Sequence, residues 1–141
     1  MVNLVMNIDD DSMSQMLSEI ILSDHQFCNT IVKIQDGKMG LDYFEEQSRL
    51  PEEDRKIPSL IFLDINMPVL NGWDFLKIFQ ANFIDFHSQI KIIILTSSLD
   101  REEEIKAIEH PLVFKYIAKP LEPWHISGLK EHPAFIHDFA S

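Results

Sequence analysis

Five short apolar runs recur along the chain, and polar or turn-forming residues end each of them. The runs cover residues 2–8, 30–34, 59–63, 90–95 and 113–118. They are nearly continuous in hydrophobic residues, which is typical of strands buried on both faces of a parallel sheet. A segment with apolar residues at helical spacing follows each run. This alternation predicts an α/β fold, a doubly wound five-stranded parallel sheet with helices on both faces.

The first predicted helix begins shortly after the first strand. Ser12 is the predicted N-cap, and Gln15 three residues later completes a capping box. Met13 and Met16 belong to a set of apolar residues at helical spacing. We therefore expect both methionine side chains to face the core.

Later segments have a more polar character. Residues 100–109 predict a charged helix with Ile105 and Ile108 facing inward, and a short last helix is predicted from Glu122. The polar stretch 47–58 is longer than a minimal connection between a helix and the next strand.

Composition limits the classes of partner. The chain has 141 residues, a formal net charge of -11 and one cysteine, so a single domain without disulfides is expected. The charge disfavours direct contact with nucleic acid or an anionic membrane. No apolar run approaches the ~20 residues of a membrane span. We expect a cytoplasmic protein with one domain over residues 1–132, then a short tail, residues 133–141, and no output domain.

Reactive side chains follow the predicted strands. Asp9 and Asp10 come after the first strand, Asp64 after the third, Thr96 after the fourth and Lys119 after the fifth. In parallel sheets these ends share one edge, where ligands bind. Two carboxylates ~4 Å apart repel by about 4 kcal/mol at an effective dielectric near 20, so the pocket needs a proton, a lysine or a metal ion. Oxygen ligands favour Mg²⁺. A carboxylate nucleophile, Mg²⁺ and lysine are what an aspartyl phosphate requires.

Each of these residues has a structural alternative when taken alone. Asp9 is also suited to capping a helix, Asp64 to forming a turn, and Thr96 to an N-cap position. Lys119, taken alone, could be an ordinary lysine exposed to solvent. The functional interpretation depends on their joint position at strand ends.

Four short motifs resemble the receiver domain of response regulators in two-component signalling. They are I-D-D-D-S at residues 8–12, L-D-I-N-M-P at 63–68 with N-G at 71–72, L-T-S-S at 95–98 and K-P at 119–120. The resemblance covers about residues 4–129. It implies the flavodoxin-like (βα)5 receiver fold with strand order 2-1-3-4-5, in a stand-alone receiver.

The resemblance also implies a role for each acidic residue and its neighbours. Asp64 would be the phosphoacceptor. Asp10 would ligate Mg²⁺ directly, Asp9 through water, and Asn66 through its backbone carbonyl.

A second set of roles concerns the phosphoryl group and the response to it. Lys119 would bind the phosphoryl group or Asp64, and Thr96 would donate a hydrogen bond to a phosphoryl oxygen. Ser97 is small enough to leave room in the phosphate pocket, which Asn66 and Lys119 would also line. Tyr116 matches the switch aromatic of the family, although plain strand packing is its structural alternative. The bond from Lys119 to Pro120 is expected to be cis.

The expected function is signalling rather than enzymatic turnover. A histidine kinase or histidine phosphotransfer protein would phosphorylate the chain, and an unknown downstream protein would bind it. The chain itself is expected to be a monomer or a weak homodimer. Three alternatives stay open: a degenerate receiver that only binds partners, a phosphatase of the haloacid dehalogenase type and a flavodoxin-like FMN carrier. For the phosphatase, residues 9–11 fit the initial D-x-D, but Met13 stands where threonine or valine is expected.

Overall fold

The chain folds around one five-stranded sheet in the computed structural model, which describes residues 1–140. The strands are β1 (Val2–Ile8), β2 (Cys28–Ile34), β3 (Leu60–Leu63), β4 (Lys91–Thr96) and β5 (Val113–Ala118). Every neighbouring pair is parallel, and the order across the sheet is β2-β1-β3-β4-β5. The predicted doubly wound α/β fold is confirmed.

Helices cover both faces of this sheet. They are α1 (Ser12–Asp24), α2 (Gly37–Ser48), α3 (Gly72–Asn82), α4 (Arg101–Glu109), α5 (Pro123–Glu131) and α6 (Ile136–Phe139). On one face Phe44 of α2 and Phe79 of α3 pack in a core that also holds Ala107 of α4. On the other face Leu22 of α1 and Ile126 of α5 form the second core. Burying apolar surface in these two layers is the main stabilising contribution to the fold.

The prediction that Met13 and Met16 of helix α1 face the core is wrong, because the helix turns both side chains toward solvent. Met13 is 60% exposed and Met16 is 48% exposed, whereas Gln15 and Ser18 are buried. The first turns of α1 lie over the polar ends of the strands, where backbone carbonyls need hydrogen-bond donors. The capping prediction is also wrong: Asp11, not Ser12, is the N-cap, and its side chain accepts from the backbone N–H groups of the first turn.

Helix α4 presents a smaller side chain to the sheet than the sequence predicts. Ile105 is 45% exposed and Ile108 is 64% exposed, while Ala107 is fully buried. Each residue turns the helix by about 100°, so once Ala107 points inward both isoleucines are rotated away. The prediction that they face inward is wrong. Lys106 lies over the ring of Trp73 at 4.4 Å, which adds a contact between α4 and α3.

The long connection between α2 and β3 is held by polar contacts. It contains a 3₁₀ turn, Glu52–Asp54. Arg55 donates to the backbone carbonyls of Ser48 and Leu50, and the Tyr43 hydroxyl donates to the carbonyl of Lys56 at 2.6 Å. These contacts lie toward the amino ends of the strands, away from the edge where the acids gather.

The last described residues pack against the second core. Phe135 is 2% exposed. Its ring lies 6.1 Å from that of Phe27 and 6.0 Å from that of Phe114, and the Phe139 ring lies 5.3 Å from Phe27. Of the segment predicted as a tail, only Ser141 lies outside the described residues. Within residues 1–140, no helix combines the length and hydrophobicity needed to cross a membrane.

Candidate functional site

The acids and the lysine predicted from strand ends meet in one pocket. The Lys119 Nζ lies 2.7 Å from Oδ2 of Asp9 and 3.4 Å from Oδ2 of Asp64. Asp9 is 2% exposed and Asp64 is 6% exposed, so water screens this charge cluster poorly. Lys119 is separated from these acids by 110 and 55 residues, and the parallel order of the strands brings them together.

Three carboxylates in the pocket could hold a cation. Asp9, Asp10 and Asp64 each offer one oxygen, and these oxygens all lie within 4.8 Å of one another. Asp10 is exposed, whereas the other two are buried. The donor set contains only oxygen, which suits a hard divalent cation that keeps water in its shell. The chemistry of the donors therefore fits the predicted type of metal ion.

Local backbone contacts fix the carboxylates. Oδ1 of Asp9 accepts from the N–H of Asp11 at 2.9 Å, and Oδ1 of Asp64 accepts from the N–H of Asn66 at 3.3 Å. Gly72 approaches this loop closely: a Cβ there would lie 2.6 Å from the carbonyl oxygen of Asp64. Any side chain at this position would displace the backbone that carries Asp64.

Charge and burial oppose each other in the pocket. Burial raises the pKa of Asp64 above its ordinary value, and although the Lys119 charge lowers it, the Asp9 charge raises it further. Burial acts to lower the pKa of Lys119, but its hydrogen bond to Asp9 and the two nearby carboxylates raise it above the usual value. Lys119 is thus held protonated beside a carboxylate that is costly to ionise.

The β4 end carries the remaining predicted residues. Thr96 is fully buried, and its Oγ1 accepts from the N–H of Ser98 at 3.1 Å. The Tyr116 hydroxyl donates to the carbonyl of Ser98 at 3.1 Å, so a hydrogen bond links this loop to β5. Ser97 is exposed.

A backbone contact joins β4 to the loop that carries the lysine. The N–H of Lys119 donates to the carbonyl of Thr96 at 2.8 Å, and the bond from Lys119 to Pro120 is cis. The Thr96 side chain bonds within its own loop, and its hydrogen bonds in this structure do not include the carboxylates.

Sequence reasoning missed a pocket beside the acids. It has a volume of about 250 Å³ and lies between the start of α1 and the segment after β5. Met13 and Leu17 line it together with Lys119 and Pro120. The signal was present in the sequence as the spacing of Gln15, Ser18 and Leu22, which lie on one face of a helix, but polar residues are not expected to face inward.

The fold and the acidic pocket define an α/β protein with a candidate ligand site at the carboxyl edge of its parallel sheet, and comparisons with known proteins identify its family. The chain matches the response regulator receiver domain over residues 5–128. It belongs to the response regulator receiver family of two-component signalling. This assignment sets it apart from the phosphatase and FMN carrier alternatives.

Solved structures share the architecture. A two-component response regulator from Cytophaga hutchinsonii is 28% identical with a TM-score of 0.82, covering 90% of this chain and 92% of that one. The bacteriophytochrome response regulator AtBRR is 22% identical with a TM-score of 0.73, covering 91% of this chain and 89% of that chain, which supports the fold alone.

A curated relative is much longer. The DNA-binding response regulator MtrA of Mycolicibacterium smegmatis is 28% identical over 115 residues, which are 82% of this chain and 42% of MtrA. This chain thus spans less than half the length of the curated relative it matches.

Proposed function

We propose that Asp64 accepts a phosphoryl group from a phosphohistidine of a histidine kinase or phosphotransfer protein. The observation that carries this proposal is the contact of Lys119 Nζ with Oδ2 of both Asp9 and Asp64. A carboxylate oxygen of Asp64 attacks phosphorus, the P–N bond breaks, and the imidazole keeps the bonding electron pair. The product is an aspartyl phosphate.

Asp9, Asp10 and Asp64, with the backbone carbonyl of Asn66, would hold Mg²⁺ in this site. Such an ion would neutralise charge on the transferring phosphoryl oxygens. The three carboxylate oxygens within 4.8 Å of one another support this assignment. The protein's own contribution is to fix the nucleophile and keep Lys119 protonated.

Lys119 would bind a phosphoryl oxygen once Asp64 is modified, because its ammonium already lies 3.4 Å from that carboxylate. Thr96 would exchange its present hydrogen bond for one to the phosphoryl group, and Ser97 leaves space there. The Tyr116 hydroxyl donates a hydrogen bond to the carbonyl of Ser98 in the same loop, so movement of the loop would change the position of the Tyr116 side chain. A full change of state requires about 5.5 kcal/mol of differential stabilisation, so phosphorylation and a downstream partner would share this task.

The exposed apolar face of α1 is the proposed docking surface for the histidine-bearing partner. Met13, Met16, Leu17 and Ile20 are between 48% and 60% exposed. Met13 and Leu17 line the pocket that also includes Lys119, so a helix placed on this face would bring a histidine to the acids. A second copy of this chain, or no protein, would be the opposing outcomes of a binding test.

The net charge of -11 supports a protein partner over direct contact with nucleic acid. The DNA-binding activity in the name of MtrA is therefore not proposed for this chain. We retain the cytoplasmic location, the monomeric or weakly dimeric state and the unidentified downstream protein as predictions.

Incubation with phosphoramidate and Mg²⁺, followed by intact mass measurement, tests the proposal. We expect one phosphoryl adduct on the wild type, none without Mg²⁺ and none on Asp64→Asn. Asp54→Asn, an exposed acid in the connection before β3, is the matched control and should be modified normally. If the wild type gains no phosphoryl group and also binds no Mg²⁺, the protein is a degenerate receiver that only binds partners.

A further inference from the structure

A buried glutamine of α1 contacts the backbone at the ends of β1 and β2. Nε2 of Gln15 lies 2.6 Å from the carbonyl oxygen of Ile34, 2.9 Å from that of Asp9 and 3.3 Å from that of Asn7. An amide nitrogen carries two hydrogens, so the two shorter contacts are the principal hydrogen bonds. The side chain is 5% exposed, so water does not compete for them.

The carbonyl of Asp9 lies one residue beyond the end of β1 and outside its ladder. The N–H of Asp9 still donates to the carbonyl of Ile34 at 3.0 Å. The Asp9 carbonyl instead accepts a hydrogen bond from the side-chain amide of Gln15, across the turn that leads into α1. A buried carbonyl without a donor is costly, so the Gln15 amide selects the backbone conformation that presents it.

We propose that Gln15 is a positioning residue for the acidic pocket. By holding the peptide that joins Asp9 to Asp10, it directs both carboxylates toward Asp64 and Lys119. The inference rests on the proposed function, because it concerns the same metal-dependent site. A neutral amide suits this role, since it supplies donors without adding a charge that would compete with Lys119 or a bound cation.

Gln15→Met tests the inference, because methionine has a similar length and helix propensity but no donor. Mg²⁺ is titrated into metal-free protein, and binding is read from backbone amide chemical shifts rather than activity. We expect about tenfold weaker Mg²⁺ binding, the lower end of effects seen when a partner of a metal ligand is removed. Phosphorylation by phosphoramidate should then slow at low Mg²⁺ and recover at high Mg²⁺.

Gln47→Met is the matched control. Gln47 is also a buried glutamine, and its Oε1 accepts from the N–H of Lys56 at 2.7 Å, near the amino ends of the strands. Its replacement should lower thermal stability and leave Mg²⁺ affinity at the wild-type value. Unchanged affinity in Gln15→Met, or equal losses in both variants, would overturn the positioning role.

A measurement on the wild type covers the case in which Gln15→Met does not fold. The side-chain amide protons of Gln15 should exchange slowly with solvent, and exchange as fast as that of an exposed glutamine would refute the inference. A wild type that binds no Mg²⁺ would contradict the proposed function as well. A wild type that binds Mg²⁺, with Gln15→Met unaffected, would contradict the positioning role alone.

Discussion

At the scale of single residues, the site concentrates charge that the fold would otherwise avoid. Asp9 is stabilised by a lysine 2.7 Å away, whereas the Asp64 oxygen is 3.4 Å from the same lysine. Burial raises the pKa of Asp64, and the charge of Lys119, which lowers that pKa, does not fully offset the effect of burial. A carboxylate whose pKa is raised at the edge of a pocket is a reasonable nucleophile for a modification that changes its charge.

Asp64→Asn should stabilise the folded protein at neutral pH. Because the folded-state pKa of Asp64 is raised, its favourable contribution to stability exists at low pH and is lost as pH rises through that pKa. The amide avoids this loss, so its Tm advantage should be largest near pH 7 and shrink as pH falls toward the ordinary range of a carboxyl. Thermal unfolding across this pH range measures it, with Asp54→Asn as control. A Tm below that of the wild type at pH 7 would contradict this account of the pocket's charge.

The acids, the hydroxyl and the lysine were predictable from the sequence because the end of a parallel strand is a position that local pattern reveals. Gln15 was not predictable as a pocket residue. Its sequence context favoured a capping box, and only the packing of α1 on the strand ends shows which carbonyls it contacts. Local pattern specifies a residue's place on its own element, while its partners depend on the neighbouring elements.

At the scale of elements, α1 carries its apolar residues outward. Its buried residues are Gln15, Ser18 and Leu22, which are three and four positions apart and therefore lie on a single face of the helix. Hydrophobicity alone predicted the opposite orientation, because a helix on a sheet is expected to bury its apolar stripe. The outward stripe is exposed surface that a partner can cover.

Leu17→Ala and Leu22→Ala should differ sharply in stability. Leu22 is fully buried, so its replacement should cost about 2–5 kcal/mol of unfolding free energy. Leu17 is 51% exposed, and its replacement should change stability by less than ~0.5 kcal/mol. Chemical denaturation of both variants measures the contrast, and comparable losses would show that α1 is turned the other way.

Leu17→Glu should separate docking from chemistry. We expect slower phosphotransfer from any histidine kinase or phosphotransfer protein that modifies the wild type, because a charge interrupts the apolar face. Phosphorylation by phosphoramidate, which needs no docking surface, should proceed at the wild-type rate. Unimpaired transfer from the protein donor would exclude this face as the docking surface.

At the scale of the whole molecule, one sheet with two cores brings distant segments together. The sheet topology was predictable from alternating strands and helices, although the order of its strands came from the family resemblance rather than from periodicity. The partners of the aromatic residues after α5 were not predictable, because a few aromatic residues in a polar segment carry no periodic signal. We propose that residues 133–139 belong to the same folded unit as the sheet.

Phe135→Ala should destabilise the protein by about 3–5 kcal/mol, the usual cost of deleting a buried phenylalanine. Its ring contacts Phe27 and Phe114 in the second core. Ile136→Ala is the neighbouring control, since that side chain is 45% exposed. Equilibrium unfolding would show the difference. If Phe135→Ala were as stable as the control, the segment would be a tail in solution.

The central claim is that Asp64 carries the phosphoryl group, and the most direct measurement is chemical trapping. Protein phosphorylated with phosphoramidate and Mg²⁺ is reduced with borohydride, which converts an aspartyl phosphate to homoserine, and peptides are then sequenced by mass spectrometry. We expect homoserine at position 64 and aspartate retained at positions 9 and 10. Homoserine at another position, or no homoserine in protein that has gained a phosphoryl group, would contradict the assignment.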